Sequence, residues 1–316
     1  MKSARGVEEH EAVIAAGVLA LAGRRRSWPE AATRRLAAYL ELAKPRITAL
    51  VLLAAIVGFW LGSRGTPDGL RLLRAVGGIA LLAAGMFALN QYVERDLDAL
   101  MRRTGSRPLP AGRLRPAEAL WFGGVLSALA VGLLGATVNL LAGALALATL
   151  ASYTGLYTPL KTRTPHCTLV GAFPGAMPPV VGWAAARGEI GMEAWVLFGI
   201  LFLWQFPHFH SIAWLYRDDY ARAGIRLWPV VRPENRTIDG QIAAFTVLLL
   251  PVSLLPSLLG LAGKFYLSVA VVSGMAFALP AIAMALRRSD RQAQRLLLAS
   301  VLYLPVLLLV MVLDKV

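Results

Sequence analysis

Residues 88–109 read ALNQYVERDLDALMRRTGSRPL and follow directly on the apolar run VGGIALLAAGMF at residues 76–87. Three carboxylates and four arginines therefore lie at the end of a segment that has the composition of a membrane helix. Lipid strongly disfavours charge, and ionisable groups at membrane depth usually mark a substrate or ion pathway. This segment predicts a helical membrane protein with a functional site at one end of a span.

The composition of the whole chain agrees with a membrane protein. Hydrophobic residues make up 57% and charged residues 16% of the sequence, whereas soluble domains carry about 25% charged residues. The net charge of +14 is also typical of nucleic-acid binding. The arginines, however, cluster between apolar blocks, which favours loops at an anionic membrane face and predicts no nucleic-acid partner. The single cysteine, Cys167, excludes an intrachain disulfide, a CxxC metal site and a CxxCH haem attachment.

Nine apolar stretches are long enough to cross a bilayer, which takes about 20 helical residues. They lie at about 47–63, 74–93, 116–136, 139–157, 166–186, 194–214, 240–261, 265–286 and 294–313. Prolines within several of them predict kinked helices packed against neighbours. Glycines such as Gly77, Gly78 and Gly85 predict close helix approach. The predicted fold is an all-α membrane protein, a bundle of nine transmembrane helices around a central cavity open to the cytoplasmic side.

The distribution of basic residues predicts the orientation of the bundle. If the nine stretches alternate in direction, 26 of the 32 Lys and Arg residues fall on one side of the membrane. Cytoplasmic loops carry an excess of Lys and Arg. We therefore expect a cytoplasmic N-terminus and a C-terminus outside.

The first 40 residues contain a short apolar run, AVIAAGVLALAG at 12–23, followed by three arginines. A signal peptide has a basic region before its apolar one, but Glu8, Glu9 and Glu11 occupy that place. Residues 1–40 are therefore expected to form a cytoplasmic tail, interfacial or disordered, rather than a tenth span. Residues 41–316 are expected to form one polytopic domain.

Asn90, Glu94 and Asp98 are spaced by four residues, so they share one face of a helix. Three oxygen-bearing side chains on one face suit Mg²⁺, which takes oxygen ligands from carboxylates, phosphates and water. The alternative is a solvated helix end whose acids pair with nearby arginines. Asp96 lies roughly opposite on a regular helix and is a weaker candidate.

Arg102, Arg103 and Arg107 follow these acids, in a turn marked by Gly105 and Pro108. Guanidinium groups donate bidentate hydrogen bonds to phosphate, so metal-binding acids beside them predict a diphosphate site. The alternative is the ordinary excess of basic residues in a cytoplasmic loop, although this does not explain the preceding acids.

A similar mixture ends the sixth stretch, in FLWQFPHFHSIAWLYRDDYARAGIRLWPV. His208 and His210 are costly in lipid unless they are used, and the alternative for each is a hydrogen bond across the bundle. Of the adjacent pair Asp218 and Asp219, only one carboxylate can face a given site directly.

The fourth stretch ends with Tyr153, Tyr157 and Lys161, again spaced by four residues. This spacing predicts two phenols and a cation on one face at the cytoplasmic end. Stretches two, four and six thus all end on one side with polar groups, which a single cavity opening there would collect.

The pattern of Asn90, Glu94 and Asp98 resembles the first acidic motif, NxxxDxxxD, of the UbiA-type intramembrane prenyltransferases. Tyr157 and Lys161 resemble the YxxxK element of that superfamily. Within it, the sequence is most similar to the protohaem IX farnesyltransferases (haem O synthases). Three strings carry this likeness, namely NQYVERDLDALMRRTGSRPLPAG, YTPLKTRTPHCTLVGAFPGAMPPVVGWAA and WQFPHFHSIAWLYRDDYARAGIRLWPV. The likeness extends over residues 40–315.

This resemblance implies an enzyme of a bacterial cytoplasmic membrane that transfers the farnesyl group of farnesyl diphosphate to a vinyl group of haem b. Water addition then gives haem O, and Mg²⁺ is the implied cofactor. A downstream haem A synthase is an implied partner. The implied metal ligands are Asn90, Glu94, Asp98, Asp218 and Asp219. The implied diphosphate-binding residues are Arg102, Arg103, Arg107, Tyr157, Lys161 and Arg222. His208 and His210 would contact haem, and the implied catalytic residues are Asn90, Glu94, Asp98, Lys161 and His208.

The sequence departs from the superfamily pattern at two places. Glu94 stands where the first motif has Asp, which keeps the carboxylate and lengthens its reach. The second motif, DxxxD, is broken, because Arg222 follows Asp218 by four residues. Arg222 is therefore a candidate for direct phosphate contact, and the broken motif lacks one of the carboxylates that two-metal coordination would use.

Two other functions compete with this interpretation. One is a UbiA-type prenyltransferase that acts on a quinone precursor or another tetrapyrrole. The other is a transporter or channel, which predicts polar residues throughout the membrane depth. The polar residues instead gather at one end of stretches two, four and six, which favours an enzyme.

Overall fold

The computed structural model describes residues 28–232 and 234–316. The apolar run at 12–23, and the expectation for it, lie outside the described residues. Trp28–Leu42 forms a helix, α1, directly before the first span. One side of α1 packs through Ala38 and Leu42 onto the bundle, while Leu36 and Leu40 are exposed.

Within the described residues, nine helices are long and apolar enough to cross a membrane, which confirms the predicted all-α class and the number of spans. In chain order they are α2 (Pro45–Gly62), α3 (Gly69–Leu100), α4 (Pro116–Thr137), α5 (Leu140–Leu160), α6 (Cys167–Arg187), α7 (Met192–Leu215), α8 (Thr237–Leu258), α9 (Lys264–Leu286) and α10 (Asp290–Leu313).

Helix α3 is much longer than its apolar stretch. It begins early because the Asp68 side chain accepts hydrogen bonds from the backbone N–H groups of Leu70 and Arg71. Its 32 residues make it about 48 Å long at 1.5 Å per residue, whereas the hydrocarbon core is about 30 Å thick. The helix is therefore long enough for its acidic segment to extend past the hydrocarbon core, which would reduce the cost of its charges.

Glycines allow the closest helix contacts. A Cβ atom on Gly58 of α2 would lie 2.0 Å from the backbone oxygen of Pro179 in α6. Gly85 similarly brings α3 against Ser127 of α4. The prediction of close approach is thus confirmed for Gly85 but wrong for Gly77, which has nothing within 4 Å of a built Cβ.

Two spans are irregular near prolines. Helix α6 consists of the halves Cys167–Ala176 and Pro178–Arg187, which meet at Met177. Helix α5 contains a π-helical segment, Ser152–Tyr157, immediately before its last turn. Such segments are frequent at functional sites.

The C-terminal ends of α3, α5 and α7 lie together, and we call this side of the bundle the acidic end. The backbone N–H of Arg226 donates to the carbonyl of Lys161 at 2.7 Å. The backbone N–H of Arg103 donates to the carboxylate of Asp219 at 3.0 Å. The three polar loops therefore meet, as the sequence predicts.

Candidate active site

The predicted acidic face of α3 is confirmed. Asn90, Glu94 and Asp98 are 2%, 6% and 0% exposed. The side chain of Asp96, by contrast, is 83% exposed and lies 3.4 Å from Arg95. The unbroken helix thus turns Asp96 away and aligns the other three side chains toward the bundle.

Each buried carboxylate contacts one basic side chain. The Nζ atom of Lys161 lies 2.5 Å from Oε1 of Glu94. One guanidinium nitrogen of Arg107 donates to both carboxylate oxygens of Asp98, at 2.8 and 2.7 Å. The alternative of a solvated helix end is wrong, because these ion pairs are largely buried and involve neither Arg95 nor Arg102 nor Arg103.

Lys44 is a third cation at this site, and the sequence analysis did not select it. It is the N-cap residue of α2, with φ of 47° and ψ of 63°, a left-handed conformation that is uncommon for a residue before proline. Its Nζ lies 5.1 Å from the centre of the Phe87 ring. Burial, together with the charges of Arg107 and Lys161, lowers the pKa of Lys44 to about 7.

The only signal for Lys44 in the sequence is a lysine at the boundary of the first span. The pKa of Lys161 is shifted in the opposite direction from that of Lys44. Burial lowers its pKa, but the adjacent charge of Glu94 outweighs this effect and holds the pKa well above the usual lysine value. Lys161 is therefore a permanent cation, whereas Lys44 can change its charge near neutral pH.

An aromatic wall adjoins these charges. The rings of Tyr153 and Tyr157 are 5.3 Å apart, and Phe87 lies 6.3 Å from Tyr153. The Nζ of Lys161 lies 4.5 Å from the centre of the Tyr157 ring. The predicted clustering of Tyr153, Tyr157 and Lys161 is confirmed.

A cavity of about 550 Å³ opens between α1 and the start of α2, and it reaches the Asp98 ion pair through the side chain of Arg107. Its walls are mostly apolar, and two cations of the site, Lys44 and Arg107, border it. The lining residues are Ala37, Leu40, Glu41, Lys44, Pro45, Arg46, Ile47, Gln91 and Arg107. This combination suits an apolar molecule that carries an anionic group.

The α3 face can contribute ligands to a hard metal ion. The Asn90 amide donates to the Thr158 hydroxyl at 3.3 Å, which leaves its carbonyl oxygen available as a ligand. The Oε1 atom of Glu94 is held by Lys161 at 2.5 Å, so this carboxylate could bind a metal ion once Lys161 moves away. No group of three His, Cys, Asp or Glu side chains suited to a metal occurs in the described chain. A metal held here would therefore need water or phosphate oxygens as well, as is usual for Mg²⁺.

The second loop presents one carboxylate inward. Asp219 is buried, bonds to the Arg103 backbone and forms an ion pair with Arg222, whereas Asp218 is exposed. Arg222 therefore has a carboxylate partner already. The Arg103 guanidinium lies 4.8 Å from the Tyr216 ring, and Arg102 is exposed.

The two histidines of α7 lie apart from the acidic face. His208 Nδ1 is 2.8 Å from the Ser300 hydroxyl of α10, a hydrogen bond across the bundle. His210 is buried, and its Nε2 atom has no hydrogen-bond partner among the described residues. Among the residues that the structure describes, neither histidine has a polar contact with Asn90, Glu94 or Asp98. Their role toward haem therefore stays a prediction.

Comparisons with known proteins show what this chain is similar to. A sequence model of the UbiA prenyltransferase family matches residues 51–304. The chain is 49% identical over 286 residues to the protohaem IX farnesyltransferase of Solibacter usitatus, covering 88% of this chain and 98% of that one.

Two solved structures have a similar fold. One is described for a digeranylgeranylglyceryl phosphate synthase, with a TM-score of 0.75 and 18% identity over 89% of this chain and 98% of the other. The second is a UbiA homologue from Archaeoglobus fulgidus bound to DMAPP and Mg²⁺, with a TM-score of 0.61 and 19% identity over 87% and 98%. At these identities the likeness supports the fold alone.

Proposed function

The chain belongs to the UbiA prenyltransferase family, and from this premise we propose that it transfers the farnesyl group of farnesyl diphosphate to a vinyl group of haem b. Water adds to the product, which is haem O. The membership makes the chain an integral membrane prenyltransferase, and the relatives' name supports haem O synthesis in general. The vinyl chemistry, the water addition and the residue roles are the proposal.

One observation carries the proposal: two buried carboxylates are each paired with a cation, and one of these cations, Arg107, borders a cavity whose walls are mostly apolar. Arg107 and Lys161 are groups that bind phosphate. We infer that Arg107 and Lys161 leave the two carboxylates and bind the diphosphate instead. The freed carboxylates then face the metal ion that is bound to the substrate. In this exchange each carboxylate gains the metal ion as it loses its basic side chain, and each basic side chain gains a phosphate. No buried charge is therefore left without a partner.

The metal has a defined place in this exchange. When Mg²⁺ is bound, it supplies positive charge to the leaving diphosphate, and Asn90, Glu94 and Asp98 would hold it. The relative from Archaeoglobus fulgidus was solved with a prenyl diphosphate and Mg²⁺. Asp219 would contribute less directly, because it holds the backbone of Arg103 and pairs with Arg222.

The first chemical step breaks the C–O bond between farnesyl C1 and diphosphate. Arg107 and Lys161, joined by Lys44, stabilise the negative charge that develops on the leaving group. The faces of Tyr153, Tyr157 and Phe87 attract the positive allylic carbon. The apolar part of the cavity wall would limit the contact of this cation with water.

The vinyl group then supplies its π electrons, and a C–C bond forms between farnesyl C1 and the terminal vinyl carbon. The oxygen of one water molecule bonds to the inner vinyl carbon and releases a proton, which balances the reaction. His208 or His210 would contact the haem during this step.

We further propose that the acidic end faces the cytoplasm in the bacterial inner membrane, with α1 at the lipid surface. The exposed Leu36 and Leu40 on α1 support an interfacial position. Delivery of haem O to a downstream haem A synthase would follow from the same placement.

The test uses purified protein in lipid nanodiscs with farnesyl diphosphate, Mg²⁺ and haem b. We expect a farnesylated, hydroxylated haem by mass spectrometry, and one labelled oxygen atom when the reaction runs in H₂¹⁸O. Prenylation of a quinone precursor with haem b left unchanged would instead establish the alternative function. A haem product without the label would disprove the water addition.

A further inference from the structure

The hydrogen-bond network around His208 fixes how its imidazole is protonated. His208 Nδ1 lies 2.8 Å from the hydroxyl oxygen of Ser300. That oxygen lies 2.6 Å from the backbone carbonyl oxygen of Leu297. Ser300 is fully buried, so water does not replace either contact.

A serine hydroxyl has one proton to donate, and a carbonyl oxygen can only accept. The short contact with Leu297 therefore needs the proton of Ser300. Nδ1 of His208 must then donate to the hydroxyl oxygen. The reverse arrangement would place two oxygen atoms at 2.6 Å with no proton between them. In a neutral imidazole with a protonated Nδ1, the Nε2 atom carries the free lone pair.

Trp204 fixes the plane of the same ring. Its indole stacks on His208 with ring centres 4.7 Å apart and an angle of 20°. The indole N–H donates to the backbone carbonyl of Ser300 at 2.9 Å. Ser300 therefore holds the imidazole at one edge, and Trp204 holds its face.

The Nε2 atom of His208 has no hydrogen-bond partner among the described residues, and its side chain is only partly buried. His210 has a similar lone nitrogen but is enclosed. A neutral imidazole nitrogen is a common ligand of haem iron. Of the two histidines, His208 is thus the one prepared to offer a ligand atom.

We propose that Ser300 is a positioning residue that holds His208 as the Nδ1-protonated tautomer, so that Nε2 faces the iron of the haem substrate. The iron contact rests on the proposed function, whereas the tautomer does not. Residues that orient a metal-ligating histidine typically change metal affinity 10- to 100-fold when they are replaced.

The tautomer is measured directly by NMR on the full chain in nanodiscs with ¹⁵N,¹³C-labelled histidine. Only four histidines are present, and His208→Gln identifies the resonances of His208. We expect the Nδ1-protonated form in the wild type and in Ser300→Thr, and a shift toward the Nε2-protonated form in Ser300→Ala. A wild-type spectrum of the Nε2-protonated form would overturn the proposal whether or not the variants fold.

Ser273→Ala is the matched control, because Ser273 also donates to a carbonyl of its own helix, at 2.6 Å, and among the described residues its hydroxyl forms no hydrogen bond with a ring nitrogen. We expect it to leave the tautomer unchanged. An identical shift in Ser273→Ala and Ser300→Ala would show that loss of any helix-bound hydroxyl suffices, and would also overturn the proposal.

Titration with ferric haem b tests the iron contact. Ser300→Ala should weaken haem binding about 10- to 100-fold and alter the Soret band, with the KM for farnesyl diphosphate unchanged and with rescue in Ser300→Thr. An unaltered spectrum in His208→Gln would overturn the iron contact. If the wild type binds no haem at all, the proposed function fails, and the NMR spectra still decide the role of Ser300.

Discussion

Lys161→Met tests the exchange of cations between carboxylate and diphosphate. Methionine keeps the length of the side chain and removes its charge. The substitution leaves Glu94 without its partner at 2.5 Å and removes one of the three cations expected to bind diphosphate. We expect weaker binding of farnesyl diphosphate and unimpaired binding of Mg²⁺, because Glu94 no longer has a competing cation.

The size of the effect follows from the contact that is lost. A hydrogen bond to a charged group contributes about 1.5–3 kcal/mol. Since about 1.4 kcal/mol corresponds to a factor of ten, kcat/KM for farnesyl diphosphate should fall by about 10- to 150-fold. Both side chains of the pair are largely buried, so bulk solvent does not screen this contact strongly.

The assay measures initial rates of haem O formation against farnesyl diphosphate, with binding of the diphosphate measured separately by calorimetry. Lys264→Met is the matched control, because Lys264 is exposed at the start of α9. Lys161→Arg should recover part of the loss, since it restores the charge. If Lys161→Met and Lys264→Met both stay within about twofold of the wild type, a margin far below the expected loss, Lys161 does not bind diphosphate.

Three further predictions follow from single residues. Asp98→Asn should abolish turnover, while absorption spectroscopy should show that haem b still binds. Asp96→Asn, at an exposed position, should be nearly neutral. Equal losses of activity in the two variants would contradict the different roles given to these residues. Lysine is charged below its pKa, and the pKa of Lys44 is about 7, so above pH 7 the free protein should take up protons when anionic diphosphate binds. Calorimetry in two buffers of different ionisation enthalpy would show this uptake, and its persistence in Lys44→Met would assign it elsewhere. Gly58→Ala forces a Cβ to within 2.0 Å of a backbone oxygen of α6 and should cost about 1–3 kcal/mol, seen as a lower melting temperature in detergent, whereas Gly77→Ala should not destabilise.

The spans were predictable because lipid imposes a simple rule of length and polarity on each helix. The end of α3 was harder to place. Hydropathy falls at residue 93, but the backbone stays helical to Leu100, since helices continue where their side chains find partners in a neighbouring loop. The spacing of Asn90, Glu94 and Asp98 nevertheless gave the correct shared face.

The ion-pair partners could not be read from the sequence. Local spacing offered Arg95, Arg102 and Arg103 to the acids, but the tertiary fold brings Lys161 from α5 and turns Arg107 back from the loop. Lys44 was missed for the same reason, because its position depends on the packing of α1 and α2 against α3. The serine that holds His208 lies 92 residues away in sequence, beyond the reach of any motif.

The most direct test is an experimental structure with Mg²⁺ and a non-hydrolysable farnesyl diphosphate analogue. We expect Lys161 and Arg107 to have left Glu94 and Asp98 for the phosphate oxygens, and the metal to lie between the freed carboxylates and the diphosphate. A complex in which both ion pairs remain intact, with the diphosphate bound elsewhere, would contradict the exchange on which the proposed function depends.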